Sequence, residues 1–168
     1  MKNNFVELPV STADGQFLAH YSEKGLAELN FPKNGRADLP VSRNAPQRVP
    51  TKFRAWHRLT TDALKKVLAG RDAKKLPPLD WTSKTEFQKS VWRQMLKLSP
   101  GKTKSYGEIA TAIKNPKAVR AVGGACGANP IPVLVPCHRV LAANKKLGGF
   151  SGGLDWKRKL LATEGVKI

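Results

Sequence analysis

The runs Phe17-Leu18-Ala19-His20-Tyr21 and Leu26-Ala27-Glu28-Leu29-Asn30-Phe31 read as two strands, joined at Glu23-Lys24-Gly25 as a hairpin. Residues 32–50 are rich in Pro, Asn, Arg and Gly and predict a long loop. Thr61 or Asp62 then stands near the N-cap of a helix that runs through Ala63, Leu64, Val67 and Leu68 to Gly70. Two prolines exclude helix from Leu76-Pro77-Pro78-Leu79-Asp80-Trp81. The expected boundary follows it, dividing the chain into domains 1–82 and 83–168.

Beyond that boundary, Phe87, Val91, Trp92, Met95 and Leu98 recur at helical spacing until Ser99-Pro100-Gly101. A short helix is expected over Ser105–Ile113, and Lys114-Asn115-Pro116 turns the chain. Pro116 suits the first position of the next helix, Lys117 to about Cys126, with Val119 and Val122 for the core. Two short helices and a tight turn fit a helix-turn-helix. Gly123-Gly124 costs that helix up to about 1 kcal/mol per residue relative to Ala. Small residues let a helix approach another backbone closely, either a neighbouring helix or a nucleic acid.

Charge sharpens this picture. The 168 residues carry 30 Lys+Arg and 12 Asp+Glu, a net charge of +18. Residues 1–82 hold 14 basic and 8 acidic residues, and residues 83–168 hold 16 and 4, so the second half is the more basic. Such a surplus points to a polyanionic partner, and nucleic acid is the commonest. Four Trp and six Phe supply a core and argue against disorder. Only Cys126 and Cys137 are present, which excludes a disulfide scaffold and leaves no second pair for a zinc site. The expectation is a protein of a reducing compartment, with no metal, secretion signal or membrane segment.

The densest chemistry lies in Asn129-Pro130-Ile131-Pro132-Val133-Leu134-Val135-Pro136-Cys137-His138-Arg139-Val140. Apolar residues lead a cysteine into the interior, and a His and an Arg follow at once. A thiol becomes a strong nucleophile only as thiolate, so its pKa of about 8.5 must be met by a base or cation. His138 is the candidate base, acting through a bridging water because adjacent side chains diverge. A carboxylate would orient the imidazole; spacing alone leaves Glu86, Glu108, Asp155 and Glu164 open. Cys126 reads as a small core residue.

The string NPIPVLVPCHRV, with TEFQKSVWRQML, SPGKTKSYGEIA, NPKAVRAVGGACGANP and LGGFSGGLDWKRKLLATEG around it, resembles the O6-alkylguanine-DNA alkyltransferases over about residues 83–166. Residues 1–82 match more loosely, through the hairpin and LPPLDW. The resemblance implies an α/β, ribonuclease H-like N-terminal domain and a mainly α, winged helix-turn-helix C-terminal domain. It makes Cys137 the alkyl acceptor, His138 its base through water, Glu164 the carboxylate on that His, and Asn129 the residue ordering the turn before the active-site strand. Contact with DNA falls to Tyr106, Gly107, Asn115, Arg120, Gly123 and Gly124. Arg120 fills the gap left by a flipped base, Tyr106 helps to rotate the nucleotide, and the glycine face favours the minor groove. The pocket would comprise Tyr106, Pro132, Val140, Gly148, Phe150, Ser151 and Gly152, with the Ser151 N–H donating to guanine O6.

The implied reaction is single-turnover repair of O6-alkylguanine, and of O4-alkylthymine by extension, in double-stranded DNA. The implied agent is a monomer without cofactor, cytoplasmic or nuclear. No cysteine stands before Cys126, so neither the zinc site nor the Cys-rich sensor domain of some relatives is expected, and Phe150 stands where others carry Tyr. One rival reading keeps the fold, a non-catalytic lesion sensor, whose relatives lack the cysteine; a second is a helix-turn-helix regulator of transcription, for which an effector or dimerisation region would be expected. A papain-like hydrolase would have to recruit His20 or His57 from the first half.

Overall fold

A computed structural model describes residues 5–32 and 49–168. Strands β1 (Val6–Thr12), β2 (Gly15–Ser22) and β3 (Gly25–Asn30) form an antiparallel meander in that order, so the expected hairpin is the β2–β3 pair. The strand β1 was not anticipated, because Pro9 interrupts it. The proline is accommodated because β1 is the edge of the sheet.

Helix α1 runs Thr51–Leu68, ten residues earlier than the capping signal at Thr61 suggested. Lys52, Arg54, Ala55, Arg58 and Leu59 favour helix, and Phe53 and Thr60 continue the buried face of Ala63, Leu64 and Val67, so propensity and tertiary burial together extend the helix back to Thr51. Thr60 Oγ1 accepts a hydrogen bond from the Tyr21 hydroxyl at 2.8 Å, fixing α1 to β2. The expected loop at 32–50 lies almost wholly outside the described residues.

The extended segment 76–81 runs beside β3, with Leu26 N donating to Pro78 O and Asp80 N to Leu26 O, both at 2.8 Å. One continuous apolar core unites the sheet, α1 and the helices that follow. The second part contains α2 (Glu86–Met95), β4 (Lys104–Ser105), α3 (Tyr106–Ala112), α4 (Val119–Gly127), β5 (Val140–Leu141) and α5 (Leu154–Thr163). The chain is thus a small sheet with a helix followed by a mainly helical part.

Both α2 and α3 begin with capping boxes, Thr85/Gln88 and Ser105/Glu108, which satisfy free N–H groups at each start. Trp92 Nε1 on α2 donates to Ala125 O on α4 at 2.8 Å. Pro116 does not open α4. Lys114, at φ +60°, ends α3, and Ala118 N closes a turn onto Asn115 O, which delays α4 to Val119. Among the described residues no helix is long and apolar enough to cross a membrane.

Candidate active site

Cys137 stands on a single 3-10 turn, Cys137–Arg139, immediately before β5, rather than within a strand. The short β5 pairs in parallel with β4, so Val140 lies opposite Lys104 at the foot of α3. The approach to Cys137 is held by Asn129. Its Nδ2 donates to Val135 O at 2.8 Å and to Cys137 Sγ at 3.2 Å, while its Oδ1 accepts from Ile131 N at 3.0 Å. Within this turn Val133 has φ +73°, costly for a β-branched residue and sustained only where the surroundings enforce it. Leu29 N on β3 donates to Pro130 O at 2.9 Å, so the first part of the chain anchors the same turn.

His138 is fully buried, and its Nε2 meets Glu164 Oε1 at 3.0 Å. Glu164 also accepts from Arg139 Nε (3.1 Å) and Nη2 (2.8 Å), and its Oε2 takes the Gly101 N–H at 3.1 Å. The carboxylate is placed by the end of α5. Gly165, at φ +77°, lets its own N–H return to Ala162 O and that of Val166 to Leu161 O, a Schellman closure that turns Glu164 inward.

Burial alone would raise the Glu164 carboxyl, but the hydrogen bonds and charges of His138 and Arg139 outweigh it and hold the group at about 2. Burial lowers the His138 imidazole below 6.5 despite the carboxylate. With Nε2 turned to an anion, Nε2 carries the proton and Nδ1 is left as acceptor. That Nδ1 is buried and has no protein partner.

Burial pushes the Cys137 thiol up to about 11, opposed by the Asn129 hydrogen bond and the charge of Lys157. The resting cysteine is therefore a neutral thiol beside a neutral imidazole. The pair suits attack on a substrate that fills the site and leaves the thiol inert beforehand.

Lys157 is the functional neighbour that the sequence reading missed. It is fully buried on α5, and its Nζ donates to Val140 O (2.7 Å), Gly149 O (3.3 Å) and Leu147 O. It thereby pins the segment after β5 to the active-site turn. The signal was available: Lys157 precedes Leu160, Leu161 and Glu164 by three, four and seven residues, on the inward stripe of α5.

Five of the seven predicted pocket residues, Tyr106, Pro132, Phe150, Ser151 and Gly152, line two adjoining cavities. One of about 450 Å³ is lined by Tyr106, Gly123, Gly127, Gly149, Phe150 and Ser151. Pro132 and Gly152 line the other, of about 570 Å³, with Asn129, Phe31 and again Ser151. Gly148, at φ +66°, packs so tightly under Tyr106 that a Cβ there would stand 2.5 Å from the phenol oxygen. Val140 lines neither cavity: its side chain is buried and its carbonyl is taken by Lys157.

On α4, Arg120 is exposed, as are Gly124 and, before the helix, Asn115; Gly107 is half-buried on α3. A Cβ on Gly124 would meet nothing within 4 Å, and one on Gly123 only Tyr106 at 4.0 Å, so internal packing does not demand these glycines. Cys126 packs against Met95 Sδ at 3.8 Å, its thiol pushed by burial to about 12. His57 sits with Tyr21 at 3.2 Å and His20 with Asn30 at 3.0 Å, so neither joins Cys137.

Comparison with known proteins finds similarity along most of the chain. The profile of the 6-O-methylguanine DNA methyltransferase DNA binding domain matches residues 86–166. The methylated-DNA–protein-cysteine methyltransferase of Methanosarcina acetivorans is 42% identical over 151 residues, covering 90% of this chain and 92% of that protein. The protein of the same name from Methanosarcina mazei is 58% identical over 80 residues; that match spans 48% of this chain and only about half (51%) of that relative. Among solved structures, Mycobacterium tuberculosis OGT in complex with DNA superposes with a TM-score of 0.71 at 36% identity, covering 93% of this chain and 90% of that one.

Proposed function

The chain belongs to the methylated-DNA–protein-cysteine methyltransferase family, and from that premise we propose that it repairs duplex DNA by moving the alkyl group of O6-alkylguanine onto its own Cys137. The observation that carries this reading is the buried array in which Asn129 holds Cys137 Sγ and Glu164 holds His138, with Nδ1 free to accept a proton.

In the step itself, Cys137 Sγ forms a bond to the alkyl carbon as the carbon–O6 bond breaks. The thiol proton passes through one water to His138 Nδ1, and Glu164 stabilises the imidazolium. The Ser151 N–H donates to the departing O6; the guanine anion takes one proton from water and His138 returns the thiol proton to water, so thiol and O6-alkylguanine become thioether and neutral guanine. The thioether is stable, so each molecule acts once and no cofactor enters. Excess methylated duplex should therefore consume one methyl per chain and then stop; continued turnover would refute the mechanism.

An O6 atom stacked in a duplex cannot meet a buried sulfur in line, so the base must rotate out at a cost of a few kcal/mol. The cavity bounded by Tyr106, Phe150 and Ser151 is the receiving site. Helices α3 and α4 act as a winged helix-turn-helix in the minor groove, with Tyr106, Gly107, Asn115, Gly123 and Gly124 against the backbone. Exposed Arg120 enters the gap left by the base. The sheet and α1 form a ribonuclease H-like domain with its boundary near residues 82 and 83. The protein works as a monomer in the cytoplasm or nucleus.

Arg120→Ala is expected to slow transfer from duplex while leaving transfer from the free alkylated base near wild type; equal slowing on both would remove the finger role. Gly124→Ala should weaken duplex binding without loss of melting temperature, since helix propensity improves and the added methyl meets open space. Burial lowers His138 below its ordinary value, so the neutral imidazole dominates at pH 7 and above. The transfer rate should be level between about pH 7 and 8 and decline only as His138 protonates at lower pH. A half-maximal rate above pH 7 would contradict that assignment.

A further inference from the structure

The first part of the chain reaches the cavity through one side chain. Phe31 follows β3, and its ring lies 5.6 Å from that of Phe150 at 71°, edge to face. Behind it stand Trp156 at 5.1 Å and Phe17 at 5.6 Å, and Phe17 is fully buried on β2. The same ring occupies the space above Gly152: a Cβ at that glycine would stand 2.5 Å from Phe31 Cε2 and 2.6 Å from Cζ. On its far side Phe150 meets the His138 ring, with centroids 6.5 Å apart at 85°. A continuous row of rings thus runs from the rigid sheet, through Phe31 and Phe150, to the proposed base.

We propose that Phe31 is a positioning residue that fixes the 148–152 segment and sets the width of the base cavity for the alkyl group. Phe150 forms part of the cavity wall, and Ser151 borders both cavities. Only a residue without a side chain at position 152 leaves the Phe31 ring room to press against this segment. The sheet is therefore a backstop for the pocket as well as a partner of the core. Without the ring, Phe150 loses its support and tilts back, the cavity widens, and larger substituents gain relative to methyl. This inference rests on the alkyl-transfer reading above.

The test compares wild type, Phe31→Ala and the milder Phe31→Leu on free O6-methylguanine and O6-benzylguanine, beside hydrogen exchange of the Gly153 amide, which donates to Phe150 O at 3.0 Å. One aromatic contact of ordinary strength corresponds to about a fivefold change in rate ratio. Phe31→Ala should raise the benzyl-to-methyl ratio by about that factor and speed exchange at Gly153, with Phe31→Leu between it and wild type. A fall in melting temperature with both ratio and exchange unchanged would overturn the proposal, reducing Phe31 to core packing. Wild type that leaves O6-methylguanine in a duplex unreacted would overturn the alkyl-transfer reading instead, and the exchange arm would still decide whether Phe31 holds the segment.

Discussion

Glu164→Ala is expected to cost about 3–5 kcal/mol of folding stability, because it leaves Arg139 as a buried cation without its anion. Arg139 is only 4% exposed, and Glu164 supplies its bidentate partner as well as the acceptor for Gly101 N. Denaturant unfolding monitored through the tryptophans measures the change. A loss below about 1 kcal/mol would mean that Arg139 finds water or another acceptor. Removing both charges, as Glu164→Leu with Arg139→Leu, should restore much of the stability, since the penalty comes from the unpaired charge. The carboxyl sits at about 2 against an ordinary 4.5. Its contribution is therefore complete above about pH 4.5 and is lost as pH falls through about 2. The acid-unfolding curve of a Glu164 variant should lack that part of its slope.

His138→Gln is expected to slow methyl transfer by about 10²–10⁴-fold, the usual worth of a placed general base. The thiol explains the size of the effect: burial holds Cys137 near 11, so little thiolate exists at neutral pH without a proton acceptor. The variant should still reach one methyl per chain given time, because the acceptor sulfur is untouched. Its rate should also rise with pH well beyond the plateau of wild type, as hydroxide replaces the imidazole. Single-turnover kinetics on a methylated duplex separates these quantities. A His138→Gln rate within threefold of wild type would assign the proton to another group.

Much of this site was legible because its residues are adjacent in sequence and chemically unusual. A Cys-His-Arg run behind a proline-bounded apolar stretch announces a buried thiol with polar neighbours, and Asn129 stands eight residues before it. The choice of Glu164 among four acids came from the resemblance, although its place seven residues after Lys157 on the inward stripe of α5, closed by the Schellman turn at Gly165, agrees with it.

Other features depended on tertiary contacts that periodicity does not report. The first ten residues of α1 are stabilised by the sheet beneath them, and β1 survives its proline only as an edge strand. The inward stripe of α5 marks Lys157 as buried, but only the three carbonyls around its Nζ show what holds a cation there. Phe31 has no local signal at all, since the rings around it come from β2 and from residues 150 and 156. The glycines of α4 were ambiguous between packing and ligand approach, and the open space at Gly124 favours the latter.

The most direct test of the central claim is the intact and peptide-mapped mass of the protein after mixing with a duplex containing one O6-methylguanine, beside a Cys137→Ser control. The account predicts a gain of a single CH₂ unit, on the peptide carrying Cys137 and absent from the control, with unmodified guanine left in the duplex. Tight, lesion-selective binding with no gain in mass, or a methyl found on Cys126, would contradict it.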